Sequence, residues 1–212
     1  MRLSLNEIQA ECRKASRGAG LPWGLADETG QAVAWLAERG TDALPALLDC
    51  LDAVLAGEGA GNPIRSGTEI ADQADKMAAG HVLSFSEIRQ PVLLLPFIAL
   101  SARLIGRPVT VTHADGAWAL SPDGVDQTVL REVAAKPVIM AVTCRAGDVH
   151  SSPQPKSPSV KSSGAKSPPQ LSRLDIDDVI WQRLQDLAHH TYVPATEQSR
   201  LLGAGAGTID ND

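Results

Sequence analysis

The sequence predicts an α+β protein: an N-terminal helical layer packed on a small, mainly antiparallel sheet, followed by a C-terminal helix and a glycine-rich tail. Three observations carry this prediction. Apolar residues recur at helical spacing through the opening third, and after Gly80 the period shortens to the alternation of strands. An Asp115-Gly116 pair between two such strands is a hairpin signal, because both residues tolerate the positive φ of a tight turn. Helices followed by hairpin-joined strands segregate into a helical layer and a sheet.

The first helix starts at an S-x-x-E capping box, Ser4 with Glu7, and Leu5, Ile8, Cys12 and Ala15 then share one face. Gly18 and Gly20 end it. Pro22 opens a second helix with an apolar stripe of Ala26, Val33, Leu36 and Ala37, stopped at Gly40. Thr41 is the expected cap of a third, in which Pro45 falls in the first turn and Leu44, Leu47, Leu48, Leu51, Val54 and Leu55 line one side. Residues 68–79 are weakly amphipathic and predict one more helix. "HVLSF" alternates as a strand, and "PVLLLPFIALSARLIG" reads as extended and then helical, with a break near Pro96. "PVTVTHADGAWAL" is the hairpin, and "KPVIMAVTC" is a further strand.

The predicted organisation is a main α+β domain over 1–148, a linker over 149–172, and a helix with tail over 173–212. Residues 151–170 hold seven serines, five prolines and three lysines with almost nothing to bury. Such a composition cannot offset its ordering entropy and predicts disorder, with an r.m.s. reach of roughly 25 Å. Beyond it, Leu174, Ile176, Val179, Ile180, Leu184 and Leu187 are the apolar residues of one helix, with Trp181 beside them. Forty residues with one helix cannot build their own core, so the segment is expected to dock on the main domain, near the "GLPW" turn at residues 20–23.

Bulk properties narrow the function. A chain of 212 residues with a formal net charge of −6 and no stripe of basic and aromatic residues argues against nucleic acid and anionic membrane surfaces as partners. The opening "MRLSLNEIQAECRK" lacks the apolar core of a signal peptide, and no stretch approaches the ~20 apolar residues of a membrane helix. Cys12, Cys50 and Cys144 are too few and too scattered for a disulfide framework or a zinc site, which predicts a cytoplasmic setting. Cys12 and Cys50 read as core residues, whereas Cys144 ends a strand and is open to exposure.

The tail concentrates groups with chemistry: His189, His190, Tyr192, Thr196, Glu197, Ser199, Arg200, then Gly203, Gly205 and Gly207. Alternating glycines let backbone amides approach an anion closely. Arg200 offers a two-pronged donor to a carboxylate or phosphate, with Tyr192 and Glu197 as orienting groups. The competing reading is a flexible tail, since GxGxG without a preceding strand and following helix is no dinucleotide fingerprint. His189 or His190 is a candidate general base, but neighbours on a helix point about 100° apart and cannot share one centre. No metal site or cofactor is indicated, because nothing fixes Asp210 or Asp212 beside a histidine. Asp27 and Glu28 are expected to sit at the opening of the second helix, where the dipole favours carboxylates.

"LSLNEIQAECRKASRGAGLPWGLADETGQAVAWL" together with "TYVPATEQSRLLGAGAGTIDND" resembles the two ends of an uncharacterised proteobacterial family, a domain of unknown function of about 200 residues. The resemblance covers most of 1–148 and 173–212. It implies that both ends belong to one domain and brings no activity or catalytic residue. The sequence thus leaves three functions open: binding of a small anionic metabolite, alone or as an accessory subunit; a small hydrolase or lyase using a tail histidine; or a module for a protein partner.

Overall fold

The computed structural model describes residues 1–147 and 172–192. It has the predicted α+β architecture, with helices packed on a small antiparallel sheet. β1 (Arg2–Ser4) leads into α1 (Leu5–Gly18), where the predicted capping box forms: Ser4 Oγ accepts from the Glu7 amide at 3.3 Å, and Glu7 accepts from the Ser4 amide at 2.8 Å. α2 (Trp23–Glu38) and α3 (Leu44–Leu55) follow. The cap of α3 is not Thr41. Asp42 accepts from the Leu44 amide at 3.1 Å, because a carboxylate two residues ahead reaches a first-turn N–H that Thr41 is too far back to meet.

The helix expected over 68–79 is two helices, α4 (Pro63–Asp72) and α5 (Ala74–Ala78). α4 starts early because Asn62 accepts from the amides of both Ile64 and Arg65, at 3.0 and 3.1 Å. After β2 (Leu83–Arg89), one 3₁₀ turn (Pro91–Leu94) runs directly into α6 (Leu95–Ile105). The segment is therefore not extended before Pro96, nor broken there. Each proline occupies the first turn of its helix, where a missing N–H costs nothing.

β3 (Val109–His113) and β4 (Gly116–Leu120) form the predicted hairpin, but His113 pairs with Gly116, so the turn residues are Ala114 and Asp115. Within the hairpin, positive φ falls on Gly116 alone, at 156°. α7 (Gln127–Ala134) and β5 (Val138–Ala146) complete the sheet, ordered β2-β5-β3-β4 and antiparallel throughout. Cys144 on β5 is fully buried, which closes the exposure that its sequence position left open.

The last described elements are β6 (Arg173–Asp175) and α8 (Asp178–His189). Leu174 and Ile176 are thus not helical. β6 pairs with β1, and the Met1 carbonyl accepts from the Ile176 amide at 2.8 Å. α8 lies against α1, burying Ala188 and placing Trp181 and Leu184 in the same apolar cluster that holds Ile8, Cys12, Leu36, Leu47 and Val142. Glycines mark the close crossings of helices: Gly18 of α1 meets the Leu187 backbone of α8, Gly30 of α2 meets the Gln9 carbonyl of α1, and Gly67 of α4 meets the Phe97 ring of α6. No described helix is long and apolar enough to cross a membrane.

Candidate functional site

Three helix ends converge beside the "GLPW" turn. α1 ends at Gly18, α2 begins at Trp23, and the C-terminal end of α8 rests on Gly18. Between them lies a cleft of about 260 Å³ lined by Arg17, Trp23, His190 and Thr191. Trp23 is 53% exposed, and the guanidinium carbons of Arg13 and Arg17 lie 5.4 and 5.3 Å from its ring centroid. This contact favours a cation over the ring face and orients both arginines.

Arg17 brings a positive charge to the cleft and the N-terminal end of α2 adds to it, while the C-terminal ends of α1 and α8 oppose it. Arg13 is ion-paired with Asp27, and Lys14 with Glu11 at 3.1 Å. Arg17 donates to the Leu21 carbonyl at 3.1 Å and has no carboxylate partner among the described residues. Pro22 caps α2 without any side-chain hydrogen bond to its first-turn amides, and Pro22, Trp23 and Gly24 are exposed. The open end of a helix carries partial positive charge on unpaired N–H groups and receives anions. Asp27 and Glu28 do not fill this role. The helix opens at Trp23, so both acids lie beyond its first turn; Asp27 meets Arg13, and Glu28 accepts from the Thr68 hydroxyl at 2.6 Å.

On the opposite wall, His190 Nδ1 lies 3.4 Å from the Gly18 carbonyl, and the Thr191 hydroxyl donates to the Ala188 carbonyl at 2.7 Å. His189 turns away and packs edge-on against Tyr192, ring centroids 5.0 Å apart. The divergence expected of neighbouring histidines is therefore seen, with His190 alone lining the cleft. Tyr192 lies close to Lys14, whose ammonium is held above its ordinary value mainly by the hydrogen bond to Glu11, with a smaller contribution from Tyr192. Glu197, Arg200, Gly203, Gly205 and Gly207 lie outside the described residues, as does the expected linker up to residue 171. Arg17 and Thr191 were not singled out by sequence: nothing in a local pattern says that residue 17 will face residue 190.

Two larger hollows are occupied differently. A cleft of about 620 Å³ between α3 and the end of β2 includes Asp49, Asp52, Glu58 and Arg89, but its acids are already engaged. Asp49 accepts from Gln90 at 2.7 Å, Asp52 from Arg183 at 2.7 Å, and Glu58 from Arg89 at 2.6 Å. A groove of about 420 Å³ between α2, α4 and α6 is walled by Trp35, Phe97, Leu100 and Leu104. No group of three or more His, Cys, Asp or Glu side chains among the described residues is arranged to hold a metal ion. All three cysteines are buried thiols; burial pushes Cys12 far up and Cys50 and Cys144 up to about 12, so none is an activated nucleophile.

No curated protein and no solved structure matches the chain. The match to a family model begins in β1 and stops after α5, short of the four-stranded sheet and of α8. Over residues 3–79 the chain is similar to the family described as "Protein of unknown function (DUF3726)".

Proposed function

We propose that the Arg17, Trp23, His190 and Thr191 cleft binds a small anionic metabolite, a carboxylate or phosphate, with the protein acting alone or as an accessory subunit. The observation that carries this reading is the unpaired first turn of α2 beside Arg17, a guanidinium without a described carboxylate partner. Two donor sets of different kinds, helix amides and a guanidinium, converge on one small space. The reading adds Arg200 and the amides of Gly203, Gly205 and Gly207 as further anion contacts, with Tyr192 and Glu197 orienting them, since the chain leaves α8 at the cleft rim. It includes a cytoplasmic setting, where buried cysteines remain thiols.

Thermal-shift screening against small carboxylates, phosphates and nucleotides tests it. A ligand at 100 times its dissociation constant adds about 2.7 kcal/mol, a shift of several degrees. The shift is expected to vanish in R17A and to weaken in R200A. Binding untouched by R17A would remove the cleft from consideration. A second reading, a hydrolase or lyase, is favoured by one observation: if His190 donates from Nδ1 to the Gly18 carbonyl, its Nε2 is a free base in the cleft that holds Arg17. Turnover of the bound ligand that is abolished in H190Q would select it; binding without turnover retains the first reading.

A further inference from the structure

We infer that the groove between α2, α4 and α6 is the contact face of a symmetric homodimer, covered by the same groove of a second copy of this chain. The inference does not rest on the anion cleft. Exposed apolar surface supports it first. α6 is the one described helix that exposes two large apolar side chains, Leu100 and Leu104, which are 42% and 63% exposed and one turn apart. Both wall the groove of about 420 Å³, as does half-buried Trp35 of α2, whose ring is held by the Arg39 guanidinium 3.7 Å from its centroid. Ala32 and Ala99 are small, buried lining residues, so a leucine from another molecule finds room beside them. Protruding leucines and a recess on one face let two copies interlock, each supplying knob and hole at once.

Charge supports it second, and it selects the occupant. Asp72 of α4 and Arg103 of α6 line the same groove, both are exposed, and neither forms an ion pair among the described residues. A rim of one sign would call for a partner of the opposite sign. A rim that carries an unpaired acid and an unpaired base is complementary to itself. A two-fold axis lying in the plane of the contact and passing between them sets Arg103 of each copy over Asp72 of the other, so the pair forms twice. An apolar centre holding a tryptophan, ringed by charge, is the usual anatomy of a protein interface.

Sedimentation velocity of the full chain at micromolar concentrations tests this. The parent is expected to sediment as a dimer, and L104E as a monomer. R103E and D72R each set like charges opposite one another twice per dimer, so each is expected to weaken self-association about tenfold. Mixing these two variants is the decisive arm. In the mixed dimer both contacts again join opposite signs, and the mixture is expected to recover the association of the parent. Such recovery cannot come from misfolded variants, and it requires that position 103 of one copy meet position 72 of the other. A parent that stays monomeric across the range, a dimer indifferent to L104E and R103E, or a mixture that associates no better than its components overturns the inference.

Discussion

Gly18 and Gly67 are absences of side chain that the packing requires. A methyl at either position would overlap the Leu187 carbonyl or the Phe97 ring, and neither neighbour is the free end of a long side chain. G18A and G67A are each expected to destabilise the fold by about 1–3 kcal/mol, the usual cost of overpacking, seen as a lower urea midpoint with an unchanged slope. His113 is a second residue whose burial has a measurable consequence. Burial holds its imidazolium form below the ordinary value of 6.5; Lys136 adds repulsion, Asp115 opposes, and Nδ1 accepts from the Asp115 amide at 3.3 Å. The native state therefore resists a proton that the unfolded chain accepts. Its contribution is present above pH 6.5 and is lost as the pH falls below that value. H113N is expected to lose less stability than the parent between pH 7 and pH 5, tested by urea unfolding at both values.

Among the elements, those with local signals were legible and those defined by distant partners were not. The capping box of α1, the three opening helices and the strand of "KPVIMAVTC" follow from caps and periodicity close in sequence. S4A is expected to cost about 1 kcal/mol, and D177A a similar amount at α8, where Asp177 accepts from the amides of Val179 and Ile180. Circular dichroism melts will read both. By contrast, β1 and β6 are three residues each and owe their extended form to one another. α7 is not legible in the sequence although Asp126 caps it at 2.6 Å, because eight residues with two buried side chains, Leu130 and Val133, are too short for a periodic pattern. The Asp-Gly signal places the hairpin turn one residue late, since the register set by Val111 opposite Trp118 carries Gly116 into β4. The same division applies to the site. His189, His190 and Tyr192 were conspicuous as a local group; Arg17 looked like an ordinary helix-terminal base until α8 came to rest beside it.

For the whole molecule, the decisive contact is between segments far apart in the chain. β6 and α8 add Ile176, Trp181 and Leu184 to a core built mainly from the first 147 residues. Arg183 also reaches Asp52 of α3, an exposed pair that contributes little by itself. Since this core carries the association, the intervening stretch need only be long enough. Replacing residues 151–170 with a glycine–serine sequence of equal length is expected to leave the melting temperature nearly unchanged, because loop entropy depends mainly on length. A large drop would assign a structural role to the native segment.

The seat of α8 on Gly18 has a consequence for how the protein is made. At roughly 5–20 residues per second, a ribosome needs on the order of 10–30 s to synthesise the chain between Gly18 and Leu187. Throughout that interval the face of α1 that will receive α8 is solvated or shielded by something else. The helical stretch that matches the family ends at residue 79, so a fragment cut to that boundary would keep this face uncovered permanently. Such a fragment should bind chaperones and aggregate, whereas the nascent chain escapes that fate once α8 emerges.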